Sequence, residues 1–334
     1  MVMHLRAIKA ATTDPHPVPL NLKIVIEGEE ETGTSVLDSH LAANPTDDRF
    51  LADVIVVADT GNMALGVPTL TSTLRGIVVV DVTLRTLDKD VHSGMYGGPA
   101  PDAFMAMTQL LATMLDHGDG RVTIPGLTEY SHTWPKVDEE EFRATAGVLT
   151  YGHSRPRLLG TGSIESRLWG KASVNVVGLS GVPPLNRPVN ALRSEVTARI
   201  SVRLAPDQNP HTAYRALVDH IEKNTPWGIQ PGIAPVGEGT GFEAKRGKHA
   251  ALVERALCDS HGGAAVQHPG QGGSIPLVAA LRKANPKADI VLWGCEEPKA
   301  NIHGHNESVD RAELQRLTTA EALLLDALAR TAHT

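Results

Sequence analysis

The chain has 334 residues, of which 41% are apolar and 21% charged, and a formal net charge of −7. This length suits two domains, or one domain interrupted by another, and the composition is that of a soluble globular protein. There is no run of Lys or Arg, no apolar stretch near the roughly 20 residues of a bilayer span, and no signal-peptide h-region in MVMHLRAIKAATTDPHPVP, which speaks against nucleic-acid binding, membrane association and secretion.

In chain order, Leu22–Ile26 (LKIVI between polar neighbours) predicts a short buried strand, Thr34–Ala43 a helix and Val54–Ala58 a second strand, together a parallel βαβ unit. Gly76–Leu87 is a long β-rich run, and Asp102–Leu115 is an amphipathic helix. Ser173–Val177 and Glu195–Leu204 (EVTARISVRL) are further strands, and His211–Lys223 is a further helix. Strands with helices on one face predict a compact α+β domain. Gly94–Pro101 and Gly178–Pro188 read as loops. From Lys248 the α/β texture returns, with helices at Ala250–Cys258 and Ser274–Lys283 and a strand at Asp289–Trp293. A last helix, Arg311–Arg330, is opened by Asp310 and Glu313 in capping-box spacing. The expected architecture is an α/β domain split in sequence around an α+β insert.

Four clusters carry candidate chemistry. EGEEETGT (Glu27–Thr34) follows the Leu22–Ile26 run, and Asp59 ends the second strand in VVADTGN. Open α/β sheets place their sites at the carboxyl ends of strands. Taken alone, an acidic cluster there is a solvated turn or helix start, and a lone Asp is a cap. Two strand ends delivering carboxylates to one edge suit a divalent ion or zinc. HGHNES (His303–Ser308) offers an imidazole after the Asp289–Trp293 strand. GQGGSIP (Gly270–Pro276) leads into a helix with Ser274 at its N-cap; this is either a tight capped loop or a set of free amides fit for a substrate carboxylate.

These motifs resemble the zinc di-/tripeptidase, carboxypeptidase G and aminoacylase superfamily of metallopeptidases. EGEEETGT, the strand ending in Asp59, LRG (Leu74–Gly76), DVHSGMYGG (Asp90–Gly98), ISVRLAP (Ile200–Pro206), GGSIP (Gly272–Pro276) and HGHNE (His303–Glu307) follow in the family's order. The likeness is closest to the cytosolic nonspecific dipeptidase and carnosinase branch. The resemblance implies that Glu30 is the general base, that Glu31, Asp59 and His303 are metal ligands, and that His92 reaches across a homodimer to the tetrahedral oxyanion. It also implies that Arg203 grips the substrate carboxylate, with Asn190, Gly273 and Ser274 beside it. Gln271 stands where this branch has an acid, which touches recognition of a substrate amine. The implied cofactor is a divalent metal, two zinc ions per subunit in the complete family, with manganese or cobalt as alternatives.

The family's opening H-x-D-x-x-P and G-R-G-x-x-D-x-K-G strings do not occur, and MHLRAIKAA resembles the helix after the second. His117–Gly118–Asp119 is a chance His-x-Asp. The fold class expected is therefore α/β: an N-terminally truncated zinc-exopeptidase (phosphorylase/hydrolase-like) catalytic domain in residues 1–73 and 241–334. A ferredoxin-like α+β lid and dimerisation domain is expected in residues 74–240. With part of the metal site missing, this polypeptide alone is expected to bind metal weakly and hydrolyse little. The expected function is metal-dependent hydrolysis of dipeptides or similar small amides. The alternatives are an aminoacylase acting on N-acyl amino acids, and a non-catalytic dimerising homologue. Cys258 and Cys295 cannot build a disulfide framework, so a reducing cytoplasm is expected, without nucleic-acid or membrane partners; the resemblance implies a homodimer.

Overall fold

The computed structural model describes residues 1–13, 19–28, 36–149 and 152–331. Its central sheet is built on β3 (Gly76–Arg85) and β7 (Glu195–Leu204), which pair antiparallel from Gly76 opposite Leu204 to Arg85 opposite Glu195. β5 (Ser173–Ser180) flanks β7 and β8 (Gly232–Gly239) flanks β3, giving the order β5-β7-β3-β8. Alternation decides which face is buried. Val78, Val80, Val82 and Leu84 of β3, with Val196, Ala198, Ile200, Val202 and Leu204 of β7, point inward. The opposite face carries Asp81 paired with Arg199 and a Thr83–Thr197 hydroxyl contact of 2.8 Å.

Two helices close the apolar face: α4 (Ala103–Ala112), capped by Asp102, and α6 (Pro210–Asn224), capped by Asn209 with Pro210 in its first turn. In chain order these elements run β3-α4-β5-β7-α6-β8. With the sheet order above, that is the ferredoxin-like βαββαβ arrangement expected from the sequence. A short α5 (Glu139–Thr145), capped by Asp138, lies in the long connection before β5.

The α/β layer is formed by β1 (Val54–Val57) and β11 (Asp289–Leu292), parallel and in register from Val54–Asp289 to Val57–Leu292. β11 is buried throughout because helices cover both faces, so it reads as a continuous apolar run. Val291 and Trp293 meet α1 (Val2–Thr13), α7 (Ala250–Ser260) and α9 (Arg311–Thr331). Ile290 and Leu292 meet α2 (Val36–Ala43) and α8 (Pro276–Ala284). Between the layers lies a small sheet in which β2 (Thr73–Leu74) pairs parallel with β10 (Gly270–Gln271) and antiparallel with β9 (Phe242–Glu243).

One sequence expectation is corrected here. Leu22–Ile26 is not a buried strand: it joins no ladder, and Leu22, Ile24, Val25 and Ile26 are 40%, 58%, 51% and 68% exposed. An apolar run becomes a buried strand only where a neighbour offers both hydrogen bonds and cover. Here β1 takes its parallel partner from β11 instead. Lys23 anchors the run through its ammonium, which donates to the carbonyls of Asp48 and Leu51. The expected βαβ unit through residues 22–58 is therefore absent among the described residues.

Candidate active site

Arg203 is the penultimate residue of β7, opposite Ile77 of β3 and Ser173 of β5. Strand alternation turns it away from the helix-covered core, and its guanidinium donates from Nη1 to the Ser274 hydroxyl at 3.0 Å. Half-burial of the side chain lowers its pKa from the ordinary arginine value, because desolvation disfavours the cation. Ser274 lies in the loop between β10 and α8. The sequence reading placed Ser274 at the N-cap of that helix, and this is corrected: Ile275 is the cap residue, without a side-chain cap bond, and Pro276 fills the first helical position. Ser274 stands one residue too early to cap and bonds Arg203 instead. Beside it, a Cβ on Gly273 would meet nothing within 4 Å, so this side of the loop is open.

Arg75 fills the single position between β2 and β3. Its Nε donates to the Gly272 carbonyl, and its Nη1 donates to the Lys171 carbonyl and the Ser173 hydroxyl, each at 3.2 Å. Sequence reasoning quoted the Leu74–Gly76 motif but gave this arginine no role. The available signal was a cation set between buried Leu74 and a glycine that opens a core strand. Nearby, the Gln271 side-chain oxygen is buried with no hydrogen-bond partner among the described residues.

A second grouping holds His92 and Asn190. β4 (Val91–His92) pairs with β6 (Ala191–Leu192), and the Ser93 amide donates to the Asn190 carbonyl at 3.0 Å. Both His92 and Asn190 are exposed. His92 caps α3 (Ser93–Tyr96), with its Nδ1 accepting from the Gly94 amide at 3.2 Å. Asp90 ties the strip to β7: it accepts from the amide and hydroxyl of Ser194 and pairs with Arg193 at 2.7 Å. The Ser194 bonds hold its carboxyl below the usual carboxylate range.

Asp59 lies just past the carboxyl end of β1, and His303 lies in the loop after β11. The two strand ends stay in contact beyond the sheet: Gly61 bridges Glu296, and the Asn62 amide donates to the Glu296 carbonyl at 2.6 Å. A Cβ on Gly294 would fall 1.9 Å from the Thr60 carbonyl, so only glycine permits this approach. His303 has φ 59°, in the left-handed region, and its amide donates to the Glu307 carboxylate at 3.2 Å. Glu30 and Glu31 lie outside the described residues. Among the described residues no three His, Cys, Asp or Glu side chains stand together to hold a metal ion. Asp59 and His303 alone fall short of the ligand set that catalytic zinc needs.

The loop beyond Asp59 is held from α9. Asp310 caps that helix as expected, accepting from the amides of Ala312 and Glu313. The Glu313 carboxylate does not return to complete a capping box. It is fully buried, accepting from the Gly66 amide at 2.6 Å, from the Asn62 side-chain amide at 3.0 Å and from Arg316. Close by, burial pushes the Cys295 thiol up to about 11, with the Glu313 charge adding to the shift.

Residues 73–229 match a peptidase dimerisation domain of the M20 type. Over 330 residues the chain is 34% identical to a cysteinylglycine-S-conjugate dipeptidase of Corynebacterium striatum, covering 97% of this chain and 70% of that protein. It is 23% identical to the human β-Ala-His dipeptidase, covering 92% of this chain and 62% of that protein. Among solved structures it is similar to the dipeptidase Dug1p of Saccharomyces cerevisiae, with a TM-score of 0.77 at 18% identity, covering 91% of this chain and 64% of the yeast chain. The fold is therefore that of a two-part peptidase with a catalytic and a dimerisation domain. The chain belongs to the M20 metallopeptidases, on their dipeptidase branch, and spans about two thirds of the length of the relatives it matches.

Proposed function

We propose that this protein hydrolyses the peptide bond of dipeptides or comparably small substrates with a free carboxylate, in dependence on a divalent metal ion. The observation that carries the reading is the Arg203–Ser274 contact, which sets a guanidinium fork and a hydroxyl beside an open glycine. A planar fork with a neighbouring hydroxyl matches the geometry of a carboxylate. The family relationship supplies the rest. Zinc is the first choice of metal, and it would activate water for attack on the scissile carbonyl. Glu31, Asp59 and His303 are proposed as its ligands and Glu30 as the general base. His92, with Asn190 beside it, is proposed to act on a partner subunit's substrate, which a homodimer through residues 74–240 would allow. Residues 1–73 and 241–334 would then form the catalytic domain, and the cytoplasm is the proposed location.

A second reading, hydrolysis of N-acyl amino acids, shares the carboxylate grip and differs at the amine end. Gln271, standing where this branch has an acid, is the residue on which the two readings differ. The test is release of free amino acid from cysteinylglycine, glycylglycine and N-acetylglycine by chelator-treated protein, before and after zinc or manganese is restored. Low but metal-restored cleavage of the dipeptides, and none of N-acetylglycine, is the expected result. Dipeptide binding without release would instead establish a non-catalytic binding protein.

A further inference from the structure

Arg75 and Arg203 bracket one tripeptide. Arg75 donates to the Gly272 carbonyl at its start, and Arg203 donates to the Ser274 hydroxyl at its end. Ser173, which accepts from Arg75, is the β5 residue paired directly with Arg203. All the acceptors that Arg75 meets in these bonds are neutral. Burial, with the Arg203 charge adding to it, pushes its pKa down to about 10, and no carboxylate acts to raise it. Two half-sequestered guanidinium charges resting on neutral acceptors are costly until an anion joins them. The open side of Gly273, which lies between the two anchored residues, leaves room for one.

We propose that Arg75 is a positioning residue for the substrate carboxylate, fixing the Gly272–Ser274 loop from behind and adding a second positive charge to the Arg203–Ser274 grip. The proposal rests on the reading of Arg203 and Ser274 as that grip. Arg75 does not touch the substrate. It sets where the Ser274 hydroxyl stands, and its charge raises the preference for a ligand ending in a carboxylate over the same ligand ending in an amide.

The experiment is calorimetric titration of the full chain with glycylglycine and with glycylglycinamide, with thermal melting as a control for folding. The unsubstituted protein should bind the free acid about tenfold more tightly than the amide or better, as expected for a charge-assisted contact. Arg75→Gln should lower the acid-to-amide ratio about tenfold. Arg75→Lys, which keeps the charge but not the fork, should recover part of the ratio. A purely structural role would weaken both ligands together and leave the ratio alone in both variants, and that outcome would overturn the proposal. If Arg203→Gln collapses the ratio and the Arg75 variants do not, Arg75 alone has been misassigned. If the unsubstituted protein shows no preference, or Arg203→Gln leaves it intact, the carboxylate reading fails and the Arg75 proposal fails with it.

Discussion

The Arg203 guanidinium donates to the Ser274 hydroxyl across 3.0 Å, joining the carboxyl end of β7 to the loop that opens α8. The ferredoxin-like sheet and the α/β layer thus each contribute one half of a single polar contact. A lysine at position 203 offers a point charge without the planar fork. Arg203→Lys should therefore raise KM for glycylglycine about tenfold while changing kcat less, as steady-state kinetics would show. Equal losses in both constants would place Arg203 elsewhere in the reaction.

Glu313 should be one of the costliest side chains to remove. Its buried carboxylate satisfies the Gly66 amide and the Asn62 side chain and pairs with Arg316. Glu313→Ala strands all three and should cost about 3 kcal/mol, read as a shift in the urea midpoint at unchanged slope. Because these bonds hold residues 62–66 beyond Asp59, metal affinity should fall in the same variant. A loss under about 0.5 kcal/mol, the range of ordinary surface changes, would mean that Glu313 is not the anchor of that loop.

Gly247 is fixed by the head of β11. A Cβ there would lie 1.5 Å from Oδ1 of Asp289, whose Oδ2 accepts at 2.8 Å from both the amide and Nδ1 of His249. Gly247→Ala must displace that carboxylate or the backbone around it. Destabilisation of about 2 kcal/mol in chemical unfolding is expected, within the usual cost of overpacking. A neutral or stabilising alanine would show that the Asp289 side chain can turn away freely.

His220 gives the fold a pH dependence. It is buried on α6 with Nε2 3.0 Å from the Thr113 hydroxyl, and desolvation lowers its pKa below 6.5, with Lys223 adding to the effect. The unfolded chain then takes up a proton that the folded chain resists. Stability should be fully present above pH 6.5 and fall as the pH drops from there toward the lowered folded value. Melting temperatures followed from about pH 7 to about pH 5 should drop less steeply for His220→Gln than for the unsubstituted protein. Parallel curves would remove His220 from the account.

β7 was legible to the residue, because ten residues of alternation leave one face to the core and one to solvent. The positions of the strands and helices alone implied only a compact α+β domain; the ferredoxin-like order came from the family resemblance, and β8 went unread. Leu22–Ile26 misled because apolar content says that a run is suited to burial, whereas only a neighbouring strand buries it. Ser274 was placed one residue wrong, since a serine before a helix looks the same whether it caps the helix or accepts from a distant guanidinium. Arg75 and Glu313 escaped for a shared reason. Arg75 sits between two strands and Glu313 in the first turn of α9, places where a charged residue ordinarily meets solvent or caps, and only the folded chain shows that both turn inward.

The central claim is best tested by comparing hydrolysis of glycylglycine and glycylglycinamide by the metal-loaded protein, with and without Arg203→Gln. The account predicts metal-dependent release of glycine from the free acid, cleavage of the amide slower by about tenfold or more, and loss of that difference in the variant. Equal cleavage of acid and amide, or an acid preference that survives Arg203→Gln, would contradict it.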